Sequence, residues 1–483
     1  MMKIPRIALI LLSVVCVSRA AGAQDVWSLQ RCIAYARTHN IQISQQQLQR
    51  NLAELSLQQS RLSQLPTLNA SSGYGYRFGR SIDPTSNQFV NTQLSSATVN
   101  VSAGVTLFSW FQKRYTIQAN QYQSKAAEQI LRKMENDISL NVANAYLQIL
   151  LAMEQAKVSA HEVSLTRQQL SNTVQQVEAG ALPESNEADL EAQLARDSAT
   201  YITNKNAIAT AIIQMKALLN LDFNTGFTPE QPDLAKIPVL DLAGLSAEDI
   251  YDAAVGNQPQ VLADSLSILA ASREVSAAKA ALYPTLSLGA GLGTNYSSSY
   301  QIPVGTQTVS IPASPLGTVA VDGKEYTVNS LPQDYTTVTY GKPAFGKQLN
   351  NNLGENLALS LNIPLFNGWQ TRAQVKRSRI QLENQKLTRD QDLLDLKQDI
   401  YQAYNDAHAS LENYHAAQKT LASSRTAFYY AQQRYQVGLI NSLEYLTTQN
   451  NLFQAQTDLI SKHYDYIFKM KVLEFYKNLN ITL

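Results

Sequence analysis

The sequence predicts a mixed fold of long α-helices and membrane β-strands, duplicated in tandem, with four strands per chain. Three observations predict it. Residues 107–215 and 365–473 align without a gap at an offset of 258, with Leu107-Phe108 on Leu365-Phe366, Arg114 on Arg372, Ala145-Tyr146 on Ala403-Tyr404 and Gly180 on Gly438. A second alignment at an offset of 218 lays Ser28, Ala36 and Leu65-Pro66-Thr67-Leu68 on Ser246, Ala254 and Tyr283-Pro284-Thr285-Leu286. Between long stretches of helical period, four segments switch to a period of two.

At the N-terminus, Lys3 and Arg6 precede an apolar run over 7–17, and Ala21-Gly22-Ala23 supplies the small residues of a cleavage site. This predicts a signal peptide over 1–23 and export of the chain. Cys16 lacks the preceding Leu of a lipidation site, so an unlipidated mature protein is expected. The mature chain keeps one cysteine, Cys32, read as a small packing residue.

The first repeat, 24–221, begins with a helix over about 27–64. Strands follow over 66–78 (Leu68, Ala70, Tyr74, Tyr76, Phe78 on one side) and 97–108 (Ala97, Val99, Val101, Ala103, Val105, Leu107). From 111 to 178 there is neither proline nor glycine, and Ile138, Val142, Ala145, Ile149, Ala152 and Ala156 recur at heptad spacing. That predicts one long helix over 111–179, followed by a shorter one over 184–220. A proline-bearing segment, 222–245, links the repeats. The second repeat, 246–483, carries a helix over 246–282, strands 284–296 and 356–366, a long helix 370–437 and a helix 441–479. Its seam reads Leu393, Leu396, Ile400, Ala403, Ala407, Ser410 and Tyr414. The 40-residue difference between the two offsets falls in the connection 298–354, read as a loop rich in Ser, Thr, Tyr, Gly and Pro.

Strands that are apolar on one face, small and polar on the other, and aromatic near their ends fit an outer-membrane barrel. A soluble sheet packed on helices is the alternative, but its edges would need covering. Four strands cannot close a water-filled barrel, so the barrel reading requires several chains.

Composition excludes other classes. Removing Lys3, Arg6 and Arg19 from 39 basic residues leaves a mature charge of about −2 against 38 acidic ones, which gives no reason to expect nucleic acid. His39, His161, His408, His415 and His463 are scattered over predicted helices, and no phosphate loop or metal motif is present. His408 and His415, seven apart, are read as ordinary polar positions. Neither catalysis, a cofactor nor a metal is expected.

The signal peptide, the duplicated halves, a helix ending in Pro-Thr-Leu before a strand, and Tyr435-Gln436-Val437-Gly438-Leu439 before the last helix together resemble the TolC family of outer-membrane efflux proteins. The resemblance covers nearly the whole mature chain. It implies a homotrimer whose 12-stranded β-barrel in the outer membrane, in contact with its lipid, continues into a long antiparallel α-helical barrel in the periplasm. It also implies a passive exit duct for efflux or type I secretion, joined through a periplasmic adaptor protein to an inner-membrane pump. A periplasmic coiled-coil scaffold or adhesin without a pore is the reading from another class.

The same resemblance places site residues at the helix tips. Gly180-Ala181-Leu182 and Val437-Gly438-Leu439 match the turn that the adaptor engages, and a glycine that ends a helix in the left-handed region explains the same residues locally. Glu444 matches a carboxylate ring at the closed pore, while Asn441 with Glu444 also reads as a capping box. Tyr435 and Ser185 match hydrogen-bonding tip residues. Thr447, Ile440 and Asn186 depart from charged gate positions of the family, so a neutral Tyr435–Asn186 bond is expected in place of a charged lock. Arginine at Leu359 or Val101 is expected to cost roughly 2–4 kcal/mol on the lipid face.

Overall fold

The computed structural model describes residues 26–82, 87–91, 93–232, 237, 244 and 246–479. The expected signal peptide, and residues 233–236, 238–243 and 245 of the linker, lie outside the described residues. The chain divides into two compact units, one of residues up to 57, 118–273 and 378 onward, the other of residues 58–117 and 274–377.

The duplication is visible element by element. Helices α1 (Leu29–His39) and α2 (Ile41–Leu62) of the first repeat match α5 (Ala247–Asn257) and α6 (Pro259–Ala280) of the second, with identical lengths. The long helices α3 (Gln112–Glu178) and α8 (Gln370–Gln436) have 67 residues each, at the offset of 258. They are followed by α4 (Glu184–Leu219) and α9 (Ser442–Asn478).

One helix was expected over 27–64 and one over 246–282; each is two. Asn40 is extended at φ −67°, ψ 132°, and its Oδ1 accepts from the Gln42 and Ile43 N–H at 2.8 and 3.3 Å. It therefore ends α1 and caps α2. In the second repeat Gln258 takes the same conformation ahead of Pro259, whose missing N–H costs nothing at the first helical position.

In the helical unit the heptad seams are buried in part, with Ala145, Leu393, Leu396 and Tyr414 half-buried. Ile138, Val142, Ile149, Ala152 and Ala156 of α3 are inside, as are Ile400, Ala403, Ala407 and Ser410 of α8. Around the first seam gather Trp27, Leu29, Cys32, Met215, Leu219 and Phe227. Here β1 (Val26–Trp27) pairs in parallel with β6 (Thr228–Pro229), and the buried Tyr146 hydroxyl lies 2.8 Å from both the Trp27 and Glu230 carbonyls. Cys32 is fully buried and burial pushes its thiol up to about 12, which leaves it a packing residue with no thiolate at neutral pH.

In the strand-bearing unit, β2 (Thr67–Arg77), β5 (Leu94–Phe108), β7 (Thr285–Ser297) and β12 (Gly354–Asn362) form one antiparallel sheet in the order β12-β7-β5-β2. Register sorts the two faces. Leu359, Leu288 and Val105 share a row, as do Leu357, Ala290, Ala103 and Leu68, then Leu292, Val101 and Ala70, with Tyr296, Ala97 and Tyr74 at one end. The opposite face carries Asn356, Gly291, Ser102 and Asn69, then Gly293, Asn100 and Ser71. A Cβ on Gly291 would sit 2.3 Å from Asn356 Oδ1, so glycine there leaves room for the Asn356 amide to lie over the neighbouring strand. Glu355 is the one carboxylate on the apolar face, on edge strand β12. That strand was expected over 356–366 but ends at Asn362, since Pro364 has no N–H for a ladder.

The connection 298–354, read as a loop, is a β-ribbon and a helix. Strands β8 (Ile302–Ile311) and β11 (Gln333–Gly341) pair, and β9 (Pro315–Val321) and β10 (Lys324–Asn329) extend the ribbon to a tip at Asp322-Gly323. Both tip residues have positive φ, 48° and 73°, as a two-residue hairpin turn of the primed type demands. Helix α7 (Phe345–Asn351) fixes the base: Gln348 Oε1 accepts from the Ser297 N–H at 3.1 Å, and Phe345 packs on Tyr296 at 4.9 Å. Between β2 and β5 a small hairpin forms, β3 (Arg80–Ile82) with β4 (Phe89–Asn91).

Candidate functional site

Both long helices end in the same turn. In α3 the Gly180 N–H donates to the Val177 carbonyl at 2.9 Å and the Ala181 N–H to the Gln176 carbonyl at 2.8 Å. In α8 the Gly438 N–H donates to Tyr435 at 3.0 Å and the Leu439 N–H to Arg434 at 2.8 Å. These are paired Schellman bonds, and they put Gly180 and Gly438 at φ 73° and 74°. A Cβ at either position would meet nothing within 4 Å, so backbone conformation alone selects glycine. The turns differ in what they present. Val437, Leu439 and Leu443 are about 70% exposed, whereas their counterparts at the offset of 258 are Ala179, Ala181 and Ser185. Leu182 is half-buried.

The two tips pack on each other through Leu190, Ala431, Ile440, Tyr445 and Leu446. Ile440 therefore serves as core. Tyr435 stacks on Tyr445 with centroids 4.7 Å apart and hydrogen-bonds to Thr173; burial, with Asp189 nearby, raises its phenol above the ordinary range. Within the chain Tyr435 is thus engaged with Thr173, and Asn186 is half-buried with its N–H on the Pro183 carbonyl at 3.1 Å. Ser185 is exposed in the first turn of α4, which Pro183 precedes without a side-chain cap. Asn441 caps α9 through the Glu444 N–H at 2.9 Å. The Glu444 carboxylate does not close a capping box; it lies 3.3 Å from Arg434 in an exposed ion pair. The N-termini of α4 and α9 are tied by Ser442, whose hydroxyl donates to Asp189 at 2.7 Å.

Behind the tips lies a buried polar layer that the sequence reading missed. The Thr166 hydroxyl donates to Asp197 at 2.7 Å, Gln449 to Glu162 at 2.5 Å, and Gln193 to Asp197 and Asn450 at 2.7 and 3.0 Å. Glu162, Thr166, Gln193, Asp197 and Gln449 are all less than a tenth exposed. Burial, reinforced by the Asp197 charge, raises the Glu162 carboxyl above the usual carboxylate range, although the Gln449 hydrogen bond opposes this. The signal was available: the α3 seam turns from Ile and Ala to Ser159, Glu162, Thr166 and Thr173 at the same spacing. Among the described residues no group of three or more His, Cys, Asp or Glu could hold a metal, and no helix is long and apolar enough to cross a membrane.

A family model described as "Outer membrane efflux protein" matches residues 33–221 and 250–468, one match on each repeat. The chain belongs to the outer membrane efflux protein family. The outer membrane efflux protein BepC of Brucella suis is 20% identical over 373 residues, which is 77% of this chain and 70% of that protein. Among solved structures, the fold matches CusC with a TM-score of 0.73 at 17% identity, over 93% of this chain and 91% of that one. It matches the Campylobacter jejuni CmeC outer membrane channel with a TM-score of 0.72 at 16% identity, over 93% and 85%. As a member of this family the protein resides in the outer membrane, extends into the periplasm, and is a channel component in place of an enzyme.

Proposed function

We propose that three copies of this efflux-family chain close one barrel and form a passive exit duct across the outer membrane and periplasm. The observation that carries the proposal is the four-stranded sheet. One face is a run of Leu, Val and Ala rows, the other is Gly, Ser, Asn and Thr, and strands β2 and β12 end the sheet with unpaired edges. Exposed leucines such as Leu357, Leu359 and Leu361 are intelligible against lipid, and open edges demand a partner strand. Three such sheets supply twelve strands.

Gating and docking belong to the tips. Val437, Gly438 and Leu439 offer an apolar surface and a bared helix end to a periplasmic adaptor, through which an inner-membrane pump acts on the duct. The Ser442–Asp189 and Tyr435–Thr173 hydrogen bonds hold the two tips of one chain together, so they move as a pair. The duct itself hydrolyses nothing. The test is extraction in detergent followed by single-channel recording in planar bilayers. A heat-modifiable trimer with discrete conductance supports the duct, and a monomer without conductance defeats it.

A further inference from the structure

Where the strands give way to helices, the two repeats share an unusual turn. Trp110 and Phe111 follow β5 with φ of 48° and 63°; Gly368 and Trp369, at the offset of 258, have φ of 61° and 67°. Left-handed backbone at non-glycine residues is costly, so its recurrence at Trp110, Phe111 and Trp369 needs a compensating use. The result is an exposed aromatic cluster: Phe108 lies 5.5 Å from Trp110, which lies 4.9 Å from Tyr283.

In the helix ends that flank the strands the charge is one-sided. The segments 58–66, 109–117, 274–284 and 363–377 of the strand-bearing unit hold Arg61, Lys113, Arg114, Lys279, Arg372, Lys376 and Arg377 against the single carboxylate Glu274. The whole chain is nearly balanced, at 39 basic and 38 acidic residues, so this excess is local. Lys376 Nζ stands 4.7 Å from the Trp369 ring centroid. Arg114, Arg372 and Arg377 form no ion pair among the described residues. Beside Arg377 opens a cavity of about 530 Å³ lined also by Ala278, Ala281, Gly368, Trp369 and Gln374. Its alanine and indole lining, with the Arg377 guanidinium in the wall and the Lys376 ammonium over the Trp369 ring, matches a glycerophospholipid: acyl chain against alanine and indole, phosphate against guanidinium and ammonium.

We infer that this collar is a binding site for anionic phospholipid headgroups of the periplasmic leaflet, centred on Trp369, Arg372, Lys376 and Arg377. The inference rests on the outer-membrane location and not on conductance, so it stands or falls separately from the duct. Free phosphate shares the headgroup's chemistry, but the aromatic and alanine lining selects a ligand with an acyl chain.

The full-length protein, in its native assembly, is reconstituted into phosphatidylcholine vesicles carrying brominated phosphatidylglycerol or, at equal mole fraction, brominated phosphatidylcholine. Tryptophan quenching is then read. Trp110 and Trp369 are exposed and Trp27 is buried, so the signal reports the collar. Each basic contact contributes about fivefold in relative association. Preferential quenching by phosphatidylglycerol is therefore expected, at least about fivefold. Its loss is expected in an R372Q/K376Q/R377Q variant that is still quenched by phosphatidylcholine as the parent is. Equal quenching by both lipids in the parent overturns the inference without any variant, as does a preference that survives in the triple variant. Inorganic phosphate should compete no better than chloride of the same ionic strength; full displacement by phosphate overturns the lipid assignment.

Discussion

Arginine scanning across the sheet converts the register into a graded free energy. Leu286 and Tyr296 bound the apolar face of β7, ten residues apart. At about 3.3 Å per residue and a tilt of about 40°, each residue covers about 2.5 Å of depth, so the face spans about 25 Å, the height of a lipid-facing band. Along its own strand Val101 is four residues from Ala97 and six from Leu107, about 10 and 15 Å of depth, near the middle. Leu359 is two residues from Leu361, the last apolar residue of β12, only about 5 Å from that end of its face. The two positions, equal in a reading of sequence alternation, therefore differ in depth. Val101→Arg should cost about 2–4 kcal/mol and Leu359→Arg about 1–2 kcal/mol, while Ser71→Arg on the polar face should cost little. The assay is refolding into phospholipid vesicles across a denaturant series at fixed protein concentration. Leu359→Arg costing as much as Val101→Arg, or Ser71→Arg as much as either, refutes the face and depth assignment.

Gly438→Trp places bulk on an exposed left-handed residue and should abolish efflux in a strain dependent on this protein, with assembly in the membrane unchanged; undiminished efflux removes the docking role. In Glu162→Gln the polar layer loses its pH response. Because burial raises the Glu162 carboxyl in the folded protein, its contribution is fully present below the ordinary glutamate range and is lost as pH rises through the folded value. Hydrogen-exchange protection at the tips, corrected for the intrinsic base catalysis of amide exchange, should then fall with rising pH in the parent but not in the glutamine variant, and parallel protection profiles would contradict this. Glu444→Gln breaks only an exposed pair with Arg434, so tip stability should change by less than about 1 kcal/mol. A fall in cation selectivity of the conductance would identify Glu444 as a pore-ring residue, and unchanged selectivity leaves it the Arg434 contact alone.

The long elements were legible because repetition and periodicity are strong signals: two copies of a heptad run with no glycine or proline leave little room for another reading. The breaks at Asn40 and Pro259 carry a signal too, since Asn40 is a cap residue and Pro259 a first-turn residue, each inside an otherwise helical run. The ribbon over 302–341 was read as loop on composition, although Asp322-Gly323 between Thr-Val-Ala-Val and Lys-Glu-Tyr-Thr-Val is a hairpin signature. At the tips, the glycines announced themselves by type. Arg434, Asp189 and Ser442 did not: Arg434 meets Glu444 only across the α8–α9 turn, and Ser442 meets Asp189, 253 residues away, only where the two repeats pack. Glu162 and Gln449, 287 residues apart, are hidden for the same reason.

In the proposed trimer, β12 of one chain pairs with β2 of the next until three chains close. Single cysteines along β12 and along β2, introduced together in a Cys32→Ala background and oxidised in the membrane, test it directly. Closure predicts covalent dimers and trimers, with the ladder stopping at three and β12 joined to β2. Bonds confined to single chains, or a ladder that runs past three, would contradict it.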